Sequence, residues 1–296
     1  MPPIERRRGR RATTVVFLLA LAMAAALALT RSQWLVKVAT QYVEERRQDE
    51  RPLLVAKLGD WKLLQAGLEY RKVRLRREGG WFTGFNLIAL RVDPALVNLR
   101  MIQIPSRLLP AQDMVTIAEH TGALALMNAS YFESDMKVMG LLIVDGEQRA
   151  PLRRGGSVHH GAFLLRGKKA YLQHRTNVSL EGVDQAFQAG PWLVTDGLAR
   201  ENFRNVHIIT RRSAFGVDAK GRVVLAATDA FLGGLALPEM ANLLAAKEPE
   251  GFGLWRAINC DGGSSTQLLL RHPRKNVTIR SSVHVPVYIA AFGRGG

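Results

Sequence analysis

A lone carboxylate stands where an apolar run gives way to glycines and hydroxyls, in Leu254-Trp-Arg-Ala-Ile-Asn-Cys-Asp261-Gly-Gly-Ser-Ser-Thr-Gln-Leu-Leu-Leu270. Leu254, Trp255, Ala257 and Ile258 read as a buried strand that stops at Asp261, and the apolar run resumes at Leu268. Gly262 and Gly263 admit positive φ and close backbone approach. Asp261 is therefore expected at a strand end beside exposed N–H groups, an arrangement suited to holding an anion or a sugar. Asp-Gly is also a common turn dipeptide, so an ordinary hairpin accounts for the same residues. A second strand, Ala123 to Met127, empties into Asn128-Ala-Ser-Tyr-Phe132 and again places polar groups at a strand end.

The elements that must position these groups are mostly strands. Lys72, Arg74 and Arg76 alternate with Val73 and Leu75, the period of a half-buried strand with one basic face. Apolar pieces flank Asp93-Pro94 between Phe85 and Arg100. Hairpins are expected around Asp145-Gly146, Gly167-Lys168 and Lys220-Gly221, with a turn, strand and turn over Gly190 to Gly197. Val283 to Phe292 forms the last strand. Two stretches have helical spacing: Pro110 to His120, with proline in its first turn, and Leu237 to Lys247, with Pro238 at its start. Many strands and two helices predict an α+β fold, a mixed and largely antiparallel twisted sheet with flanking helices.

Length and composition allow one globular domain, expected over residues 60–296. Ahead of it, Arg6, Arg7, Arg8, Arg10 and Arg11 precede an uncharged run from Ala12 to Thr30. Such a run can just span the hydrocarbon layer, and the arginines hold residues 1–11 in the cytoplasm. Small-residue sites at Ala24-Ala25-Ala26 and Ala26-Leu27-Ala28 leave a cleaved signal peptide open. The length of the run and Trp34 beyond it favour a single-pass signal anchor over 12–30, followed by a stalk over 31–59. Either way the domain faces the periplasm or cell exterior.

The net charge is +16, of which +11 lies beyond Gln33. An exported basic domain meets anionic membrane surfaces and phosphorylated sugars rather than nucleic acid. With Cys260 as the single cysteine, an intrachain disulfide and a cysteine zinc site are excluded. His159 and His160 are adjacent and would point to opposite faces of a strand, so no metal and no cofactor are expected.

Four segments in order resemble the phosphodiester glycosidase domain family over about Asp60 to Phe292. Asn128-Ala-Ser-Tyr-Phe132 is similar to an Asn-Gly-Gly-Tyr-Phe segment. Gly190-Pro191-Trp-Leu193 with Gly197 matches Gly-Pro-x-Leu…Gly, and Arg212-Ser-Ala-Phe-Gly216 matches Arg-Thr/Ser-Ala-x-Gly. Asn259-Cys-Asp-Gly-Gly-Ser-Ser265 resembles the Asn-Leu-Asp-Gly-Gly-Gly-Ser signature. Ala129, Ser130, Cys260 and Ser264 depart from the family pattern, and the added Cβ atoms restrict backbone approach.

The resemblance implies hydrolysis of a sugar joined through its anomeric carbon to a phosphodiester. Ordinary glycosidases need two carboxyl groups, but a phosphate monoester leaves with little help because its second ionisation lies near pKa ~6. One carboxylate then suffices: Asp261 as nucleophile or base, with Arg212 clamping the phosphate. Asn128 and Ser213 would bind sugar hydroxyls or phosphate oxygens, and Gly262, Gly263 and Ser264 would supply backbone donors. Tyr131 is a core or sugar-stacking residue, and Gly190 belongs to the second motif. Asp229 is the candidate second carboxylate, ahead of Asp196 and Glu133. The competing readings are a noncatalytic envelope glycan-binding protein and a phosphodiesterase that breaks the P–O bond. The expected setting is the metabolism of envelope polysaccharides.

Overall fold

The computed structural model describes residues 52–78, 84–111, 113–156, 158–204, 207–231 and 233–293. The basic N-terminus, the anchor over 12–30 and the stalk up to residue 51 lie outside the described residues. The strands of the described residues form three antiparallel sheets. The first runs in the order β1 (Leu53–Leu58), β3 (Leu68–Arg77), β4 (Phe85–Val92), β15 (Val223–Thr228), β14 (Ser213–Asp218), β16 (Leu254–Asn259), β12 (Trp192–Thr195), β13 (Leu198–Ala199), with β2 (Lys62–Gln65) also on β3. The second is β10 (Lys169–His174), β9 (Gly161–Arg166), β11 (Gln185–Ala189), β7 (Leu142–Val144), β8 (Glu147–Ala150). The third is β18 (Lys275–Ile279), β17 (Leu268–His272), β6 (Ala125–Asn128), β19 (Val287–Phe292), β5 (Asn98–Gln103).

The expectation of an α+β fold with a mixed sheet and flanking helices is corrected to a mostly β fold. The described residues contain two α-helices, α1 (Met114–Thr121) and α2 (Leu237–Ala245), and none is long and apolar enough to cross a membrane. α1 is short because Asp113 caps it, accepting from the Thr116 N–H at 2.9 Å, and Gly122 ends it in the left-handed region. Pro110 therefore falls in a preceding 3₁₀ turn, Ser106–Ala111, rather than in the first turn of the helix. The sheet also starts at Leu53, ahead of the boundary expected at residue 60.

Local chemistry explains the hairpins. β7 and β8 join through Asp145 (φ 51°) and Gly146 (φ 80°), the paired positive angles that a two-residue turn needs to match strand twist. The inner faces of the three sheets share one core. Phe163, Phe187 and Phe215 meet there with ring centroids 4.6 to 5.6 Å apart, beside Met127, Leu268 and Ile289 of the third sheet. α2 covers the outer face of the first sheet, where Met240, Ala241 and Leu244 pack on Val224, Ala226 and Leu193. β14 and β15 are thus buried on both faces, so they read as unbroken apolar runs rather than as alternation.

The chain passes between sheets at two places that matter below. β11 of the second sheet leads through the cis Gly190-Pro191 bond to β12 of the first. β16 of the first sheet leads through Asp261 to β17 of the third. The Asp261-Gly262 segment is accordingly a crossover between sheets, and the ordinary hairpin is excluded.

Candidate functional site

Antiparallel pairing of Ala214 with Asn259 brings the start of β14 and the end of β16 to one edge, so Arg212 and Asp261 emerge together. Backbone bonds hold the edge. Cys260 N donates to Ser213 O at 2.9 Å, Asn259 N to Pro191 O at 2.9 Å, and Asp261 N to Ala129 O at 3.3 Å. All three sheets contribute to the junction, because Ala129 directly follows β6 of the third and Pro191 lies in the two-residue link from β11 of the second to β12 of the first.

Asn128 and Ser213 are fully buried at its centre. Asn128 Nδ2 donates to the Asp261 carbonyl at 2.6 Å, while its Oδ1 accepts from Ser213 Oγ at 2.7 Å and from Gln267 N at 3.0 Å. Their polar atoms are engaged within the protein, which makes their observed role the positioning of Asp261. Gly263 N–H is likewise taken, donating to Arg211 O at 2.8 Å, and its φ of 62° suits glycine. A Cβ on Gly262 would lie 3.0 Å from Arg211 O, so the crossover packs directly on the strand that carries the arginines. Ser264 is exposed, and its carbonyl accepts from Ser282 N at 2.9 Å.

Burial pushes the Asp261 carboxyl up to about 6, against hydrogen bonds from Ser265 and from the Gly262 N–H that favour its ionised form. Ser265 is buried and the sequence reading missed it. Tyr131 lies beside Asp261. Its hydroxyl donates to Gly190 O at 2.8 Å and to Cys260 O at 3.3 Å, and accepts from Asn259 Nδ2 at 2.8 Å. Burial, followed by the nearby Asp261 charge, raises its pKa, so it stays a neutral phenol.

Arg211 and Arg212 diverge. Arg211 Nη2 ties the crossover by donating to Thr266 O and Arg280 O, both at 2.7 Å. Arg212 is 8% exposed, and backbone carbonyls orient its guanidinium: Nε donates to Leu235 O at 2.9 Å and Nη2 to Ile208 O at 2.6 Å. A guanidinium has five N–H donors, so this leaves donors for a ligand. Burial lowers the Arg212 pKa, offset in part by Tyr131 and Glu239.

Arg212, Tyr131 and Asn259 line a cleft of about 720 Å³ together with His160, Arg175, Arg200 and Arg204. No carboxylate is among its lining residues; Asp261 is near enough to Tyr131 to act on it by charge but does not line the cleft. Gly190 packs under His160, where a Cβ would come 3.0 Å from the His160 backbone nitrogen. Nothing local separates Arg175, Arg200 and Arg204 from the rest of the 41 Lys and Arg residues, and His160 stands out in the sequence only as the neighbour of His159.

Asp229 is not brought to the cleft. Its carboxylate accepts from Asn86 N and Asn86 Nδ2 at the end of β15. Asp196 pairs with Arg256 at 3.0 Å and Glu133 with Arg153 at 3.1 Å, both on the surface. Cys260 is fully buried, and burial pushes its thiol up, so it acts as an inert filler. Among the described residues no group of three or more His, Cys, Asp or Glu could hold a metal ion.

The family model for phosphodiester glycosidase matches residues 121–291. The chain belongs to the phosphodiester glycosidase family. Membership covers the crossover, the Tyr131 segment and the arginine strand, and leaves β1 to β5 outside the match. Two solved structures share the fold at 17% identity. The catalytic domain of zebrafish N-acetylglucosamine-1-phosphodiester alpha-N-acetylglucosaminidase, auto-inhibited by its pro-peptide, aligns with TM-score 0.57 over 83% of this chain and 92% of that one. A hypothetical protein from Synechocystis aligns with TM-score 0.56 over 81% of this chain, which spans 64% of the length of that one. A comparison with curated proteins finds no match.

Proposed function

We propose that this phosphodiester glycosidase-family domain releases a sugar from a glycosyl phosphodiester, with Arg212 holding the phosphate and Asp261 acting at the anomeric carbon. The observation that carries the reading is that strand pairing brings a half-buried carboxyl, pushed up to about 6, to the same sheet edge as a carbonyl-anchored arginine that lines an acid-free basic cleft. At neutral pH most of Asp261 is ionised and able to accept a proton from water or to attack directly. The bond from the anomeric carbon to the phosphate oxygen breaks, water supplies the hydroxyl, and the products are a free sugar and a phosphate monoester. Arg212 neutralises the charge that gathers on the leaving phosphate. Tyr131, neutral and fixed by Asn259, would bound the sugar.

A second reading, a glycan binder without turnover, is favoured by one observation: Asp261 is not among the residues that line the cleft. Incubation with a sugar 1-phosphodiester followed by product identification separates the cases. Free sugar with phosphomonoester supports the glycosidase. Sugar 1-phosphate would mean cleavage at phosphorus, and bound, intact ligand would mean a binder. The apolar run Ala12 to Thr30, read from sequence, would put the reaction outside the cytoplasmic membrane on envelope glycans. Protease accessibility of the domain in intact spheroplasts tests that placement.

A further inference from the structure

The cleft carries more positive charge than one phosphodiester requires. Arg175 Nη1 donates to Gly156 O at 2.6 Å and reaches His159 O at 3.4 Å, and its backbone N donates to His160 O at 3.0 Å. Arg200 Nε donates to Asn202 O at 2.9 Å, with its guanidinium over the Phe203 ring at 5.9 Å. Carbonyls and a ring thus fix both side chains. The surface carboxylates Glu133 and Asp196 pair with Arg153 and Arg256 rather than with these two arginines.

Both arginines bear on His160. Burial first, then Arg175 and Arg200, hold its imidazole below the ordinary histidine value, so it is a neutral ring at neutral pH. Its Nδ1 is buried with no protein partner among the described residues. The cleft therefore gathers Arg175 and Arg200 around His160 in addition to Arg212 with Tyr131 and Asn259. Like charges gathered without acids repel and weaken the fold, an arrangement that an anionic ligand reverses.

We propose that Arg175, Arg200 and His160 form a second anion subsite, and that the substrate carries a second phosphate besides the one joined to its sugar. The subsite stands on its own geometry, and the substrate class rests on the glycosidase reading above. The sugar would be joined either to a diphosphate or to an aglycone with a separate phosphate.

Calorimetry on the full-length protein tests it with three probes: inorganic phosphate, inorganic pyrophosphate, and a bisphosphate with a short alkyl spacer. Pyrophosphate or the spaced bisphosphate should bind at least about tenfold more tightly than phosphate, the worth of one further charge-assisted contact. Preference for pyrophosphate indicates adjacent phosphates, and preference for the spaced compound indicates separated ones. In Arg200→Glu, an exposed position, and in Arg175→Lys, which keeps the charge that anchors the loop, that preference should shrink, most in Arg200→Glu. A wild-type preference below about threefold, or one unchanged in Arg200→Glu with native melting temperature, overturns the subsite. In turnover, Arg200→Glu should lower kcat/KM by about tenfold for a glycosyl phosphodiester with a second phosphate and by less for its methyl phosphodiester counterpart. Equal losses on both overturn the substrate class. Absence of wild-type turnover on both substrates sinks the glycosidase reading and the substrate class with it, while the calorimetric ratio still decides the subsite.

Discussion

Replacing Asp261 by Asn separates the cost of burying a charge from the chemistry that the charge performs. Burial raises this carboxyl from 3.8 to about 6, so the folded protein binds the proton more tightly than the unfolded chain. The ionisation penalty is absent below pH 3.8, grows across the window up to about 6, and is complete above it. At ~1.36 kcal/mol per pKa unit the full penalty is about 3 kcal/mol. Asp261→Asn escapes that penalty but weakens the bonds from Ser265 and the Gly262 N–H, which leaves a net gain of roughly 1–3 kcal/mol at pH 8. For a domain of this size that is a rise in Tm on the order of 2–10 °C. At pH 4.5, where the wild-type carboxyl is largely protonated in the fold, the penalty falls to about 1 kcal/mol, so the gap should shrink by about 2 kcal/mol. Paired thermal melts at the two pH values measure it. The same variant should lose turnover by about a thousandfold or more, and wild-type kcat/KM should fall as pH drops through about 6. A variant that is less stable than wild type at pH 8, or whose Tm difference ignores pH, refutes the burial argument. Retained turnover refutes the assignment of Asp261.

Other substitutions probe the frame around it. Arg212→Lys keeps the charge but loses the planar fork, so kcat/KM should fall by about a hundredfold with KM rising; unchanged kinetics would remove Arg212 from phosphate binding. Asn128→Leu strands Ser213 Oγ, Gln267 N and the Asp261 carbonyl, so urea denaturation should show a loss of about 3 kcal/mol. Gly263→Ala meets nothing nearer than Thr210 Oγ1 at 3.6 Å, so only its positive φ counts, and the loss should be about 1–2 kcal/mol. Gly262→Ala instead meets Arg211 O at 3.0 Å and should depress kcat more than stability, as a shifted Asp261 would.

Much of the strand pattern was legible because it is written in local terms. Lys72, Arg74 and Arg76 alternate with buried Val73 and Leu75 as the two-residue period demands. The Asp145-Gly146 turn and the helix at Leu237 follow from the conformations those residues favour. The fold class is mostly β rather than α+β because the two expected flanking helices have only 8 and 9 residues on a framework of three sheets.

The sequence alone determined which residues stand out as candidates, Asp261 among glycines and Arg212 before a strand, because short motifs and turn preferences act over a few residues. Tertiary structure decided the rest. β16 and β17 pair with different sheets, Asn128 faces inward to hold Asp261, and Arg175, Arg200 and Arg212 meet at one cleft. These outcomes depend on pairings between distant segments, and so does the raised carboxyl of Asp261, since burial belongs to the assembled core and to no stretch of chain by itself.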